Sequence, residues 1–244
     1  MTKSIYFISD AHLGISPPKS VPNREALLVE TLLSWKETAS HIVILGDLFE
    51  FWYEYRHYVN RHHFQLFKAF AELTSYGVQV HYLKGNHDFA LGSFFPEELG
   101  VQVHQNLTLD VEGERFYCVH GDGIPRSDRG YRFLRRILDF PLNRFLFSCI
   151  HPDIGMRIAL RAGNKSRALG KNRPVAIEEY LEAGGKKMKK HQCTYFVHGH
   201  HHLSGIWRVP EGHVASGGQW LFSLSYLVYS STTGLRLVDV TAGH

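Results

Sequence analysis

Residues 5–12 read Ile5-Tyr6-Phe7-Ile8-Ser9-Asp10-Ala11-His12: four apolar residues that run straight into a carboxylate and an imidazole two positions apart. A short unbroken apolar run is the pattern of a strand buried on both faces, as in a parallel sheet covered by helices. The pattern returns at 42–45, which leads into Gly46-Asp47, and a largely apolar run at 78–83, with Gln79 and His81 in it, leads into Gly85-Asn86-His87-Asp88. Helical periodicities near 24–37 and 61–76 separate these runs, so the first third of the chain predicts βαβ units. Later runs at 107–111, 116–119, 195–197, 205–209 and 223–229 have turn residues and little helix between some of them. They predict a second, more antiparallel sheet.

Two of these later runs also end in donors, His120-Gly121-Asp122 and Gly199-His200-His201-His202. Five donor-rich segments at five strand exits point to one convergent site, because ligands in open α/β sheets gather at the carboxyl ends of strands. Asp10 and His12 are two apart, as are His200 and His202, and on an extended chain such residues face one side. Asp47, with two oxygens and no donor close by in sequence, suits a bridge between two cations. The glycines at 46, 85, 121 and 199 allow close approach beside it. Oxygen and nitrogen donors without thiolate favour manganese, iron or zinc. Two such ions about 3.5 to 4 Å apart lower the pKa of water and clamp an in-line displacement, which is the chemistry of phosphate-ester hydrolysis. The other histidines are expected to be structural. His41, His81, His104 and His198 read as core or edge residues, and His57, His62 and His63 as exposed residues at the polar start of a helix.

With 244 residues and 44% hydrophobic content, the chain can bury a sizeable core. Three scattered cysteines, Cys118, Cys149 and Cys193, form no disulfide framework and read as buried thiols in a reducing compartment. No secretory leader is expected from the first residues, and the greasiest region, 137–150, is interrupted by Asp139, Pro141 and Arg144, too soon for a membrane span. The net charge of +4 conceals a basic block: residues 126–173 hold twelve Lys or Arg against three acids. Aromatic and aliphatic residues are interleaved with that charge, a mixture that suits an anionic, partly greasy partner. The stretch from about 124 to 192 reads as a helical insertion capping a single domain of 1–244, with no linker or repeat.

Taken together, Asp10-x-His12, Gly46-Asp47, Gly85-Asn86-His87-Asp88, His120-Gly121-Asp122 and Gly199-His200-x-His202 resemble the calcineurin-like metallophosphoesterase signature over most of the chain. The resemblance implies an α/β fold, a four-layer αββα sandwich with the helical insertion as a lid. It implies one metal on Asp10, His12, Asp47 and His202, and a second on Asp47, Asn86, His120 and His200. Water activated by the pair would be the nucleophile, while His87, steered by Asp88, would contact the phosphate as a catalytic group.

A narrower resemblance rests on 46–52, on 120–123 with Asp128 and Tyr131, on 134–166 with His151-Pro152-Asp153-Ile154-Gly155, and on 218–229. These stretches are similar to UDP-2,3-diacylglucosamine hydrolases, most of all to the type found in bacteria related to Bacteroidetes. In the better-known type the residue after the motif asparagine is Arg, whereas here it is His87. This second resemblance implies cleavage of a pyrophosphate in lipid A synthesis, with two divalent ions, manganese being the expected choice. It also implies a lipid-nucleotide substrate, peripheral attachment to the cytoplasmic face of the inner membrane, and no nucleic-acid partner. Arg126, Asp128, Tyr131, Arg161, Ser166 and Arg167 are the expected substrate contacts. The competing expectations are another phosphodiesterase or phosphatase acting on nucleotides, proteins or nucleic acid, of which a nuclease would need an open basic groove, and a scaffold that has lost catalysis, which would have lost some of the donors.

Overall fold

A computed structural model describes residues 3–15, 23–125, 135–138, 140–170 and 175–240, with the side chains of 164–170 excluded. Strands β1 (Ser4–Ile8), β2 (Ala39–Ile44), β4 (Gln79–Leu83) and β6 (Gln102–His104) run parallel, and β12 (Ser225–Ser230) and β13 (Gly234–Asp239) extend the sheet antiparallel, in the order β13-β12-β1-β2-β4-β6. The second sheet has the order β10-β11-β9-β8-β7, from β7 (Asn106–Val111), β8 (Glu114–Val119), β9 (Tyr195–His198), β10 (Ser204–Val209) and β11 (Gly212–Gly217). A small pair, β3 (Trp52–Tyr53) and β5 (Asp88–Ala90), sits apart.

The apolar runs form strands because both faces of the first sheet are covered. Ile5, Phe7, Val43, Leu45 and Leu83 meet Phe116, Cys118, Val197 and Ala215 of the second sheet. Their neighbours Tyr6, Ile8, Ile42 and Ile44 point the other way, against α1 (Arg24–Ser34) and α2 (Phe64–Tyr76), in keeping with the two-residue period of a strand. Emptying a fully buried position such as Phe7 costs about 3–5 kcal/mol. On α1 the buried residues Arg24, Leu28 and Leu32 recur every four positions, one face of a helix. That helix stops at Ser34 rather than 37, where Trp35 turns in to stack on Tyr6 at 4.3 Å. At the end of α2, Gly77 adopts φ 99° and its N–H returns to Leu73 and Thr74, a left-handed cap that glycine takes without a Cβ clash.

Helices α3 (Pro141–Ser148), α4 (Pro152–Gly170) and α5 (Ile177–His191) occupy the stretch between β8 and β9. The last of them packs Met188 and Leu181 on Tyr117, Phe196 and Val214, on the outer face of the second sheet. The order of layers is therefore helix, sheet, sheet, helix, as the αββα expectation requires. A long crossover through α5 also lets β9 pair parallel with β8, and the excursion through β10 brings β11 back parallel to β9. The second sheet, expected to be more antiparallel than the first, is mixed, with antiparallel pairs at its two edges.

Two residues depart from expectation. His63 is buried, not exposed, because its Nδ1 lies 3.0 Å from both oxygens of Glu25 and its ring packs on Phe49, tying α1 to the start of α2. Cys149 is exposed beyond α3, while Cys118 and Cys193 are buried. The aromatic run after Asp47 divides between the core and the insertion. Phe49 and Trp52 enter the core, whereas Phe51 and Tyr53 face α3, with ring centroids 5.5 and 4.8 Å from Phe147.

Candidate metal centre

The five donor segments leave β1, β2, β4, β8 and β9 at one end of the sandwich and meet. Asp10 Oδ1 lies 3.3 Å from His202 Nε2 and 3.7 Å from His12 Nε2. Asp47 Oδ2 lies 3.3 Å from His120 Nε2, and Asn86 Oδ1 is 3.1 Å from the same nitrogen. One donor atom from each of Asp10, His12 and His202 falls within 4.8 Å of the others; the same holds for His12, Asp47 and His87, and for Asp47, His120 and His200. Asp47 is shared between the two sides. Asp10 Oδ1 and His12 Nε2 are buried without a hydrogen-bond partner, a cost of about 1–3 kcal/mol each that a cation between them would remove. This donor set therefore fits divalent metal.

The side chains are not presented by extended chain, as the two-residue spacing suggested. Asp10, His12, Asp47, His200 and His202 have φ of 52°, 44°, 51°, 72° and 64°, in the left-handed region. Each such non-glycine residue costs on the order of 1–3 kcal/mol and persists only where its surroundings hold it. Here the loops after β1 and β2 hold each other: Asp10 N donates to Gly46 O, His12 N to Asp47 O and Leu13 N to Leu48 O. Gly46 itself has φ 96°, and a Cβ there would stand 2.5 Å from His120 Nδ1, so only glycine leaves room for that imidazole.

Outer contacts aim the donors. His120 Nδ1 lies 2.7 Å from Leu45 O; a carbonyl can only accept, so Nδ1 carries the hydrogen and Nε2 faces Asn86 and Asp47. His87 Nδ1 donates in the same way to Glu50 O at 2.6 Å, which turns its Nε2 toward Asp47 Oδ2 at 3.9 Å. The Glu50 carboxylate is buried 3.2 Å from His12 Nδ1 and 3.8 Å from His87 Nδ1. Sequence reasoning passed over Glu50, although an acid within the apolar run Phe49-Glu50-Phe51-Trp52 was a usable signal. Ser9, whose hydroxyl bonds Asp10 Oδ2, was missed as well. Replacing Glu50 by Gln is expected to lower activity about 10- to 100-fold through misaligned His12 and His87, with the fold retained; steady-state kinetics and circular dichroism check it.

Asp88 does not steer His87. Successive strand residues face opposite sides, so His87 lies toward the cleft while Asp88 is fully buried. Its carboxylate accepts from Tyr82 Oη at 2.6 Å, Gly85 N at 2.8 Å and Asp47 N at 3.1 Å. Burial and the charge of Asp47 push its pKa up to about 6. Asp88 thus shapes the turn that carries Asp47 and Asn86, and His87 takes its orientation from Glu50.

Without metal the site compensates its own charges. Burial opposes ionisation of Asp10, but the facing imidazoles of His12, His202 and His120 hold it well below the usual carboxylate range. Burial likewise opposes protonation of His12, yet Asp10 and Glu50 raise it to about 9; Asp47 does the same for His120, also to about 9. His200, desolvated and beside His120, falls to about 3. A histidine raised on folding stabilises fully below its unfolded value of 6.5 and loses that contribution as pH rises through its folded value. The unfolding temperature of chelator-treated protein is therefore expected to fall between pH 6.5 and about 9, while affinity for divalent metal rises over the same window as those protons are displaced. Calorimetry with and without Mn2+ checks both directions.

The expected substrate contacts are placed less completely. Arg126, Asp128 and Tyr131 lie outside the described residues, as do the side chains of Ser166 and Arg167 on α4. Arg161 is exposed on the same helix.

Fold and donor cluster together define a class. The chain belongs to the calcineurin-like phosphoesterase family, whose model matches residues 3–204, and it is a metal-dependent phosphoesterase. The likeness reaches individual enzymes. A UDP-2,3-diacylglucosamine hydrolase of Porphyromonas gingivalis is 32% identical over 96% of both chains. Those of Aeromonas hydrophila and Escherichia coli are 32% and 31% identical, over 83% and 82% of both chains.

Proposed function

We propose that this chain hydrolyses the pyrophosphate of UDP-2,3-diacylglucosamine, releasing UMP and 2,3-diacylglucosamine 1-phosphate in lipid A biosynthesis. Asp10, His12, Asp47 and His202 hold one divalent ion and Asp47, Asn86, His120 and His200 the other, with manganese the expected metal. When bound, the pair supplies an acidified water and charge stabilisation for in-line displacement at the α-phosphate. The chain's own part is positional: Asp47 joins the two halves, and His87 offers Nε2 to the phosphate from a ring fixed by Glu50 O.

The observation that carries the substrate is an apolar cleft at Leu13, the residue that follows His12. It has a volume of about 290 Å³, is lined by Leu13, Phe51, Met156 and Leu160, and shares Asn60, His62 and Met156 with a larger cleft of about 650 Å³ bordered by Tyr53, Tyr55 and Tyr58. Acyl chains fit such walls; a nucleic-acid groove would be open and charged. The capping part of the insertion is α3 and α4, since α5 serves as the fourth layer. Chelator-treated protein is expected to release UMP from this substrate only after Mn2+ is restored. Turnover of simple phosphodiesters with no UMP from the lipid nucleotide would refute the reading.

The same helices supply the proposed membrane contact. No residue of α3 is buried; Phe140, Leu142, Phe145 and Leu146 are exposed near the basic Arg136 and Arg144. A greasy, cationic helix of this kind lies in an anionic interface. No helix among the described residues is long and apolar enough to cross a membrane. Flotation with vesicles is expected to recover more protein as phosphatidylglycerol content rises and less at high salt; equal recovery with neutral vesicles would count against it.

A further inference from the structure

The two flanks of the metal centre differ in chemistry. On the His12 side the cleft is apolar, as described above. On the His120 side a second cavity of about 480 Å³ opens directly from His120 and Gly121. Its rim carries Lys84, Gln105, Asn106, Asp122, Arg135 and Lys187, over a floor that includes Ile124 and Phe196. This volume lies within the range of about 300–1,000 Å³ that suits a small ligand.

The rim groups select a ligand by type. Lys84, Arg135 and Lys187 come from β4's exit, the insertion and α5, and among the described lining residues Asp122, which pairs with Arg135, is the one acid. A net positive rim attracts phosphate and ribose oxygens. Gln105 and Asn106 are adjacent and exposed at the start of β7, and each carboxamide offers both donors and an acceptor. The hydrogen-bonding edge of uracil, one N–H between two carbonyls, needs that combination. Apolar floor residues accept the flat face of a base, whereas acyl chains would leave the polar rim without partners.

We propose that the cavity beside His120 is the nucleotide subsite, holding the uridine monophosphate half of the substrate while the acyl half lies across the metal centre beside His12. This inference rests on the substrate reading above and adds the direction in which the substrate lies. Because the cavity shares His120 with the donor cluster, a nucleotide seated there places its phosphate next to Asp47 and Asn86. It also orders release, with UMP and the lipid leaving by opposite flanks.

The test is calorimetric titration of the Mn2+-loaded protein with UMP, ribose 5-phosphate and inorganic phosphate. UMP is expected to bind at least about tenfold more tightly than ribose 5-phosphate, the worth of one or two good hydrogen bonds. Lys187→Glu and Asn106→Ala, both at exposed positions, are each expected to weaken UMP about tenfold with unchanged unfolding temperatures. Equal affinity for UMP and ribose 5-phosphate would overturn the proposal, because the cavity would then read phosphate alone. So would UMP binding that neither variant alters. Protein that binds UMP in this pattern yet releases none from UDP-2,3-diacylglucosamine would uphold the nucleotide site and overturn the substrate reading.

Discussion

Asp47→Asn is expected to leave a folded protein that holds at most one tightly bound metal and turns over roughly 10³-fold more slowly or worse, the loss of several kcal/mol of transition-state stabilisation. The amide preserves the acceptor that takes the His87 N–H at 2.8 Å, so the turn should survive. What goes is the charge. Among the described residues, Asp47 is the one whose carboxylate reaches both the His12–His87 and the His120–His200 sides, so none of them can replace it as a bridge. Metal analysis of the purified variant, beside circular dichroism and kinetics, separates loss of metal from loss of fold. Two metals and undiminished turnover would refute the shared-ligand account.

His87→Gln is expected to lower kcat roughly 10²- to 10³-fold while both metals stay bound, the cost of one well-placed donor to a developing charge. His87 stands outside the proposed ligand set: its Nε2 lies farther from Asp47 Oδ2 than that of His120, and the ring remains partly exposed. The leaving group of the proposed reaction is itself a phosphate, which departs without strong acid help. A positive donor is therefore the greater need at this position. An arginine, the residue that stands after the motif asparagine in the better-known hydrolase type, would meet that need with a group that cannot give up its proton. His87→Arg should consequently retain more activity than His87→Gln, and equal activity of wild type and His87→Gln would remove the residue from the mechanism.

The donor positions were legible because each follows an apolar run, and the run alone fixes where a buried strand must end. Ile5–Ile8, 42–45 and 78–83 are such runs, and their strands lie where expected. β11 left no such mark. It is a central strand of small residues, Ala215-Ser216-Gly217, packed close between β10 and β9, so burial there required little apolar bulk. β13 alternates Leu235, Arg236, Leu237 and Val238 at a sheet edge with few neighbours to decide its pattern.

In the site, the spacing of Asp10 and His12 suggested that their side chains converge, which they do, but through a different backbone geometry. Left-handed backbone at five of the donors is a product of loops bonded to loops far away in sequence, which local spacing cannot reveal. Glu50 and Asp88 illustrate the same limit. Chain proximity placed Asp88 as the partner of His87, whereas strand alternation sends it into the core and brings Glu50 O to the imidazole from across the cleft.

The central claim is hydrolysis of UDP-2,3-diacylglucosamine by water attack on the α-phosphate. It is tested most directly by running the Mn2+-loaded enzyme on that substrate in ¹⁸O-water and weighing both products. The account predicts one ¹⁸O atom in UMP and none in 2,3-diacylglucosamine 1-phosphate. Label in the lipid phosphate, or no UMP at all, would contradict it.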